Sequence, residues 1–204
     1  MLTSRHKHVL NRLLAPIAAA LARTGVSPSA LTLAAPLLTS VACLWLVLTV
    51  AILPFCVASL LIGLLDGLDG AVARASGRVT KFGAYLDAVC DRYVESMVAI
   101  AVAYVTGYWT LIMVALVGAL LVSYSKARAA MEVAVSNQEW PDLMERTERS
   151  LLFLGGLSAS QLVRWRPLGH DLFWWTLVLL AGLTHLTVLQ RVVRAKRLIR
   201  ARSH

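Results

Sequence analysis

Charged residues are scarce in this chain: they make up 15% of its 204 residues, whereas 58% are hydrophobic. A soluble domain of this size carries more charge, so the composition excludes that class of protein. Cysteine is also rare, and Cys43, Cys56 and Cys90 lie in apolar stretches without metal-ligand spacing, which argues against a disulfide framework or a zinc site. The N-terminus lacks an apolar core followed by a cleavage site, so we expect no removed signal peptide.

Apolar runs long enough to cross a bilayer recur along the chain, and they predict an all-α integral membrane protein with six transmembrane helices. Ahead of the first run, an amphipathic stretch at 5–23 predicts an additional helix lying in the membrane interface. We expect residues 1–204 to form one membrane domain. The predicted spans cover about 31–49, 54–75, 82–106, 109–131, 147–163 and 171–190.

The formal net charge is +9, but the basic residues collect at the ends of the apolar segments and in the stretch 191–202. This distribution favours membrane lipid headgroups and a phosphate-bearing substrate as partners, and it argues against nucleic acid. Six spans place both termini on the same side, together with most of the basic segments. By the positive-inside rule that side is the cytoplasm, and we expect a multi-pass protein of the cell (plasma) membrane.

Four aspartates lie within the predicted second and third spans. Asp66 and Asp69 are three residues apart, and Asp87 and Asp91 are four apart. A charge inside an apolar helix costs about 2.5–3.5 kcal/mol, so intramembrane carboxylates indicate function. Because a short loop joins the two spans, we expect the two pairs of side chains to face each other near the cytoplasmic interface.

Facing carboxylates repel one another unless cations neutralise them, and Arg74 and Arg92 are too few to do so. Hard oxygen ligands of this kind favour divalent magnesium, with manganese also possible, over zinc. Two such ions can hold a diphosphate and stabilise its departing half. The small residues Gly70, Ala73 and Gly83 would let a nucleotide approach the backbone closely.

A pattern of eight residues runs through these two spans: Asp66-x2-Asp69-Gly70-x2-Ala73-Arg74-x8-Gly83-x3-Asp87-x3-Asp91. It resembles in full the signature of the CDP-alcohol phosphotransferase family. The resemblance implies an enzyme, active as a homodimer, that moves a phosphatidyl group from CDP-diacylglycerol, or from a CDP-linked ether lipid, to a small polar alcohol and releases CMP.

The same resemblance implies roles for individual residues. Asp66 and Asp87 bridge two magnesium ions, Asp69 completes one ion site, and Asp91 completes the other and also deprotonates the acceptor hydroxyl. The positions that match nucleotide-binding sites of the family are Gly70, Arg74, Thr80, Ser29, Ala30, Leu31 and Thr32.

The acceptor is suggested by the runs 86–92, 123–129 and 145–149, which look most like the phosphatidylinositol-phosphate synthase branch of the family. The resemblance to that branch implies that basic side chains bind the phosphate of inositol 1-phosphate. The basic residues expected to do so here are Lys126, Arg128, Arg146, Arg149 and Arg191. Two alternatives stay open: these residues can serve topology and lipid headgroups alone, and the acceptor can be glycerol 3-phosphate or another polar alcohol. A remote alternative is an ion-coupled transporter, although the chain has no internal repeat.

Overall fold

The structure is a computed structural model that describes residues 15–133 and 144–202. The described residues form helices joined by turns, with no strand among them, so the predicted all-α class is confirmed. A helix at 15–23 (α1) precedes a series of longer helices, and one 3₁₀ turn lies at Pro167–Gly169. The longer helices are α2 (Pro28–Thr49), α3 (Ile52–Ala75), α4 (Lys81–Thr106), α5 (Trp109–Glu132), α6 (Arg146–Leu162) and α7 (Leu172–Arg202).

The helix ends follow local backbone chemistry. Pro28 occupies the first position of α2, where its fixed φ suits a helix start and its missing N–H has no partner to lose. Val50 ends α2 in the left-handed conformation, and its N–H donates to the carbonyl of Leu46 at 2.8 Å. Gly77 and Gly107, with φ of 66° and 76°, form the turns that follow α3 and α4.

Among the described residues, four helices are long and apolar enough to cross a membrane: α2, α3, α5 and the part of α7 from Leu172 to Ala201. This is the composition of a multi-pass membrane protein. α4 carries several charges in its first half, and α6 has only 17 residues, so neither reaches the same length and apolarity. Six spans therefore stay a prediction. The predicted interfacial helix is helical at 15–23, and its segment 5–14 lies outside the described residues.

One helix differs clearly from its prediction. The sixth span was expected to end near 190, but α7 continues to Arg202. The fall in hydropathy after residue 190 indicates where contact with lipid ends, but it does not determine where the helix ends. The Arg, Lys, Ala and Leu residues that follow are strong helix formers, so the helix continues. The other predicted spans begin and end within three residues of the observed helices.

The chain divides into two compact units, 1–102 and 103–204. In the first unit, α2 packs along α3. A small core of Ala18, Leu68 and Val72 joins α1 to α3. α1 and α2 together thus support the C-terminal half of α3.

In the second unit, α7 packs against α5 and α6. Glycines allow this close approach. A Cβ atom added to Gly118 of α5 would lie 2.9 Å from Cβ of Thr184, and one added to Gly156 of α6 would lie 2.7 Å from Cβ of Thr176. The neighbouring Gly155 has nothing within 4 Å of such an atom. Small residues at Gly118 and Gly156 therefore set the distance between the helices, as is common in membrane proteins.

Asp171 organises the start of α7. Its Oδ1 accepts a hydrogen bond from the backbone N–H of Trp174 at 2.9 Å, which caps the helix. Its Oδ2 accepts a hydrogen bond from the Tyr108 hydroxyl at 3.0 Å. Burial raises the pKa of Tyr108, the hydrogen bond and charge of Asp171 raise it further, and Arg166 lowers it.

Candidate active site

Three of the four aspartates come together. Asp66 and Asp69 on α3 and Asp87 on α4 each place one carboxylate oxygen within 4.8 Å of the other two. The three-residue spacing puts Asp66 and Asp69 on one face of α3. After the turn at 76–80, Asp87 reaches the same place from the first two turns of α4. The expected meeting of carboxylates from these two helices is therefore observed for three side chains.

Asp91 lies one helical turn beyond Asp87 on α4. Its Oδ2 is 3.7 Å from Nη2 of Arg92, and Nη1 of Arg92 lies 2.9 Å from Oε2 of Glu95. In the part of the chain that the structure describes, the close carboxylate group consists of Asp66, Asp69 and Asp87, and Asp91 lies outside it. The roles of Asp91 as metal ligand and as base stay predictions.

Asp69 is the buried member of the group, with 8% of its surface exposed. Both of its carboxylate oxygens accept hydrogen bonds. The hydroxyl of Thr32 on α2 donates to Oδ2 at 2.5 Å, and the backbone N–H of Gly70 donates to Oδ1. Burial of a carboxylate is unfavourable unless such donors or a cation compensate for lost water, and here two donors from two helices do so.

The segment predicted to bind the CDP-lipid forms the first turn of α2. The N–H groups of Ala30 and Leu31 point back toward the carbonyl of Ser27, at 3.0 and 3.4 Å. A helix N-terminus favours anions, so Ser29 and its neighbours lie where a phosphate would be stabilised. The side chain of Leu31, however, packs against the core between α1 and α3, and that of Thr32 contacts Asp69.

Gly70, Ala73 and Arg74 lie in the last two turns of α3. A Cβ atom on Gly70 would lie 3.4 Å from Nη1 of Arg74, so the glycine leaves room for the guanidinium. Arg74 is exposed and borders an open cavity of about 190 Å³ whose other lining residues are Ala15, Ala18, Ala71 and Ala75. A cation beside small side chains offers space and charge to a phosphate.

Thr80 and Gly83 act together at the start of α4. The hydroxyl oxygen of Thr80 accepts a hydrogen bond from the N–H of Gly83 at 2.9 Å, which is the contact of a helix N-cap. A Cβ atom on Gly83 would lie only 3.1 Å from that oxygen. These two predicted nucleotide positions thus have a structural role in beginning the helix that carries Asp87.

The basic residues predicted to hold the acceptor phosphate belong to the second unit. Arg149 and Arg191 are each 4% exposed, and each donates to a backbone carbonyl: Arg149 to that of Met144 at 3.0 Å, and Arg191 to that of Val122. Buried guanidinium groups need such acceptors because burying an unpaired charge is costly.

The remaining basic residues are more accessible. Arg128 is exposed, and its Nη1 lies 2.5 Å from Oε1 of Glu132. Lys126 is half-buried on α5, and Arg146 is the half-buried first residue of α6. Arg128 and Arg191 border the same cavity of about 570 Å³ between α5 and α7, so the structure brings these two predicted residues together.

The sequence profile of the CDP-alcohol phosphatidyltransferase family matches residues 25–182. This chain belongs to that family. The match includes all four aspartates and ends before Arg191. The resemblance expected from the eight-residue pattern is therefore confirmed for the family.

Relatives and solved structures of phosphatidyltransferases resemble the chain over most of its length. It is 34% identical to the archaetidylinositol phosphate synthase of Pyrococcus horikoshii, over 87% of each chain. It is 35% identical to the phosphatidylinositol phosphate synthase of Mycobacteroides abscessus, over 87% of this chain and 80% of the relative. The crystal structure of the Mycobacterium tuberculosis phosphatidylinositol phosphate synthase with CDP-DAG bound has a TM-score of 0.78 at 27% identity, covering 90% of this chain and 94% of that one. The same enzyme in complex with manganese and citrate has a TM-score of 0.77 at 27% identity, covering 89% and 88%.

The carboxylates of this phosphatidyltransferase fit a hard divalent cation. Oxygens bound at right angles on one Mg²⁺ are about 3.0 Å apart, and those on opposite sides are about 4.2 Å apart, since each lies about 2.1 Å from the ion. From the observed limit of 4.8 Å, the oxygens of Asp66, Asp69 and Asp87 would close by at most about 1.8 Å on binding one ion. A cation also offsets the repulsion among three clustered carboxylates, one of them buried. The donor set therefore suits Mg²⁺ or Mn²⁺.

Two contacts at the sites of this phosphatidyltransferase were not predicted from sequence. Glu132 pairs with Arg128, and the four-residue spacing on one helix was a signal that could have revealed it. The bond from Thr32 to Asp69 joins residues 37 positions apart on different helices. No local pattern predicts such a pair.

Proposed function

We propose that this phosphatidyltransferase moves a phosphatidyl group from CDP-diacylglycerol, or from an ether-lipid analogue, to inositol 1-phosphate and releases CMP. The convergence of Asp66, Asp69 and Asp87 in a member of this family carries the proposal. The relatives named as archaetidylinositol and phosphatidylinositol phosphate synthases support inositol 1-phosphate over glycerol 3-phosphate. Membership of a transferase family leaves an ion-coupled transporter without support.

In this proposal Asp66, Asp69 and Asp87 hold a divalent cation, Mg²⁺ or Mn²⁺, and Asp91 helps to hold a second. When bound, such ions offset the negative charge of the diphosphate and of the leaving nucleotide. The solved relative with manganese supports this assignment. The protein supplies the oxygen ligands from two helices joined by a short turn, so their separation is set before any substrate arrives.

The reaction is a displacement at the lipid-side phosphorus. The acceptor hydroxyl oxygen forms a bond to this phosphorus while the bond to the bridging oxygen breaks, and CMP leaves with that electron pair. We assign Asp91 as the group that takes the hydroxyl proton, since it lies on α4 one turn beyond Asp87. Arg74 and the first turn of α2, at Ser29, Ala30 and Leu31, are assigned to the diphosphate.

We propose that basic side chains of the second unit bind the phosphate of the acceptor. Arginine can donate two parallel hydrogen bonds to a phosphate, which makes it more selective than a point charge. The cavity of about 570 Å³ bordered by Arg128 and Arg191 supports this proposal because its volume is typical of a small-ligand site. A bound phosphate would compete with Glu132 for Arg128. The other members of the proposed set are Lys126, Arg146 and Arg149.

The purified protein should be incubated with CDP-diacylglycerol, Mg²⁺ and one acceptor at a time: inositol 1-phosphate, glycerol 3-phosphate or serine. We expect inositol 1-phosphate to support CMP release and formation of a phosphorylated inositol lipid. A parallel series with a CDP-linked ether lipid identifies the donor. CMP release with glycerol 3-phosphate alone would overturn the acceptor, and no release with any acceptor would overturn the enzymatic class.

We further propose that residues 1–204 form one domain of six spans in the plasma membrane, with an interfacial helix at 5–23 and the active site facing the cytoplasm. The distribution of basic segments supports this topology. Single cysteines introduced near Gly77 should react with an impermeant thiol reagent only after cells are opened. Homodimerisation is proposed from family resemblance, and light scattering in detergent should give twice the chain mass of 22.2 kDa. A monomer mass would refute it.

A further inference from the structure

The hydroxyl of Thr32 has a choice of two acceptors. It lies 2.5 Å from Oδ2 of Asp69 and 3.1 Å from the carbonyl oxygen of Pro28, four residues earlier in α2. Threonine in a helix commonly donates to that preceding carbonyl. A hydroxyl has one proton, and a hydrogen bond to a charged acceptor is shorter and stronger than one to a neutral acceptor. The distances therefore assign the proton of Thr32 to the carboxylate.

This contact fixes how the carboxylate of Asp69 is turned. The terminal torsion of an aspartate side chain has broad preferences, so neighbouring groups must define the plane of its oxygens. The N–H of Gly70 holds Oδ1 from within α3, and Thr32 holds Oδ2 from α2. Thr32 is only 4% exposed, so little water can reach Oδ2 of Asp69 and donate a hydrogen bond in place of the hydroxyl. Each oxygen still has a second lone pair for a cation.

We propose that Thr32 is a positioning residue for the divalent cation site: its hydroxyl orients the Asp69 carboxylate toward the ion, and the side chain does not contact the CDP-lipid. This inference rests on the proposed function for the presence of the cation. It changes the role expected from sequence, which placed Thr32 among the nucleotide-binding positions. Groups that orient metal ligands through a hydrogen bond typically account for about 10–100-fold in metal affinity.

The chain offers a matched control. Thr39 is 3% exposed and lies on α2 seven residues beyond Thr32, so it occupies the same helix face about two turns away. Thr32→Val removes the hydroxyl at nearly constant shape, Thr32→Ser keeps it, and Thr39→Val makes the same change away from the aspartates. If Thr32→Val does not fold, Thr32→Ala carries the same test, since alanine also lacks the hydroxyl and favours a helix.

The test is a titration of the full-length purified protein with Mn²⁺ alone, following unbound Mn²⁺ by electron paramagnetic resonance. We expect Thr32→Val to weaken Mn²⁺ binding by about 10–100-fold. Thr32→Ser and Thr39→Val should stay close to the wild type, and Asp69→Asn gives the affinity of a site that has lost the ligand itself. The KM for CDP-diacylglycerol at saturating Mn²⁺ should not rise in Thr32→Val.

Several outcomes would overturn the inference. Equal Mn²⁺ affinities in Thr32→Val and Thr39→Val would exclude a role of the hydroxyl at the cation site. Equal weakening by Thr32→Ser would mean that the methyl group matters instead. A raised KM for the CDP-lipid with unchanged Mn²⁺ affinity would return Thr32 to the nucleotide site. Absence of Mn²⁺ binding by the wild type would instead refute the proposed cation site itself.

Discussion

Replacing Gly156 on α6 by alanine should destabilise the protein. The added Cβ atom would lie 2.7 Å from Cβ of Thr176 on α7, whereas carbon atoms in contact prefer about 3.5–4.0 Å. Thr176 cannot turn away easily, because its χ1 rotation is restricted and its hydroxyl donates to the carbonyl of Leu172 at 2.9 Å. The helices must therefore separate or strain, at a cost of about 1–3 kcal/mol.

Gly155 provides the control for this prediction. It lies on the same helix but has nothing within 4 Å of an added Cβ atom, so Gly155→Ala should stabilise the helix by about 0.5–1 kcal/mol. The two variants should thus differ by about 1.5–4 kcal/mol in the free energy of unfolding. Circular dichroism in detergent, with increasing denaturant, measures both. In a Thr176→Gly background the cost of Gly156→Ala should shrink. Equal stability of the two alanine variants would refute the packing proposed for α6 against α7.

Three further predictions concern the reaction and the start of α7. Asp91→Asn should lower the rate of CMP release by about 10²–10⁴-fold if Asp91 is the base, as initial rates at saturating substrates will show. Glu132→Gln removes the carboxylate that competes with the substrate phosphate for Arg128. Because an exposed ion pair contributes up to about 1 kcal/mol, the KM for inositol 1-phosphate should fall by up to about fivefold. An unchanged KM would contradict this prediction. Tyr108→Phe deletes the hydrogen bond to Asp171 and should cost about 1 kcal/mol at pH 7. Because the pKa of Tyr108 is raised in the folded state, this stabilisation is complete below pH 10.0 and is lost as the pH rises through the raised pKa. Thermal unfolding of the wild type and of Tyr108→Phe, at pH 7 and above pH 10, measures this loss.

Helix positions were largely predictable from sequence. Pro28, Gly77 and Gly107 act on the backbone locally, so the helices around them begin and end close to their predicted bounds. The end of α7 was not predictable from hydropathy. The residues after 190 suit an aqueous or headgroup environment, but they still allow the backbone hydrogen bonds of the helix to continue. Packing distances were not predictable either: nothing in the local sequence distinguishes Gly155 from Gly156, which face different surroundings.

The aspartates show where prediction of the site succeeds and where it stops. Spacings of three and four residues and a short connection sufficed to predict that carboxylates from α3 and α4 meet, and Asp66, Asp69 and Asp87 do. The same spacing could not show that Asp91 lies outside the closest group. The hydroxyl of Thr32 reaches Asp69 only because α2 packs along α3, which is a tertiary contact.

The length of α7 exceeds what the hydrocarbon layer of a bilayer can cover. Its 31 residues extend about 46 Å at about 1.5 Å per residue, while the hydrocarbon layer is about 30 Å thick. To lie entirely within that layer, α7 would have to tilt by about 50° from the bilayer normal, which is beyond the usual range of up to about 40°. About five residues at a tilt of about 40°, and about eleven without tilt, therefore lie outside the hydrocarbon layer. Arg194, Lys196, Arg197 and Arg200 lie in the basic C-terminal part of the helix, which suits contact with lipid phosphates. In a thinner or thicker bilayer a different number of α7 residues would lie in the hydrocarbon layer, and Arg191 lies only one turn before the basic residues that begin at Arg194.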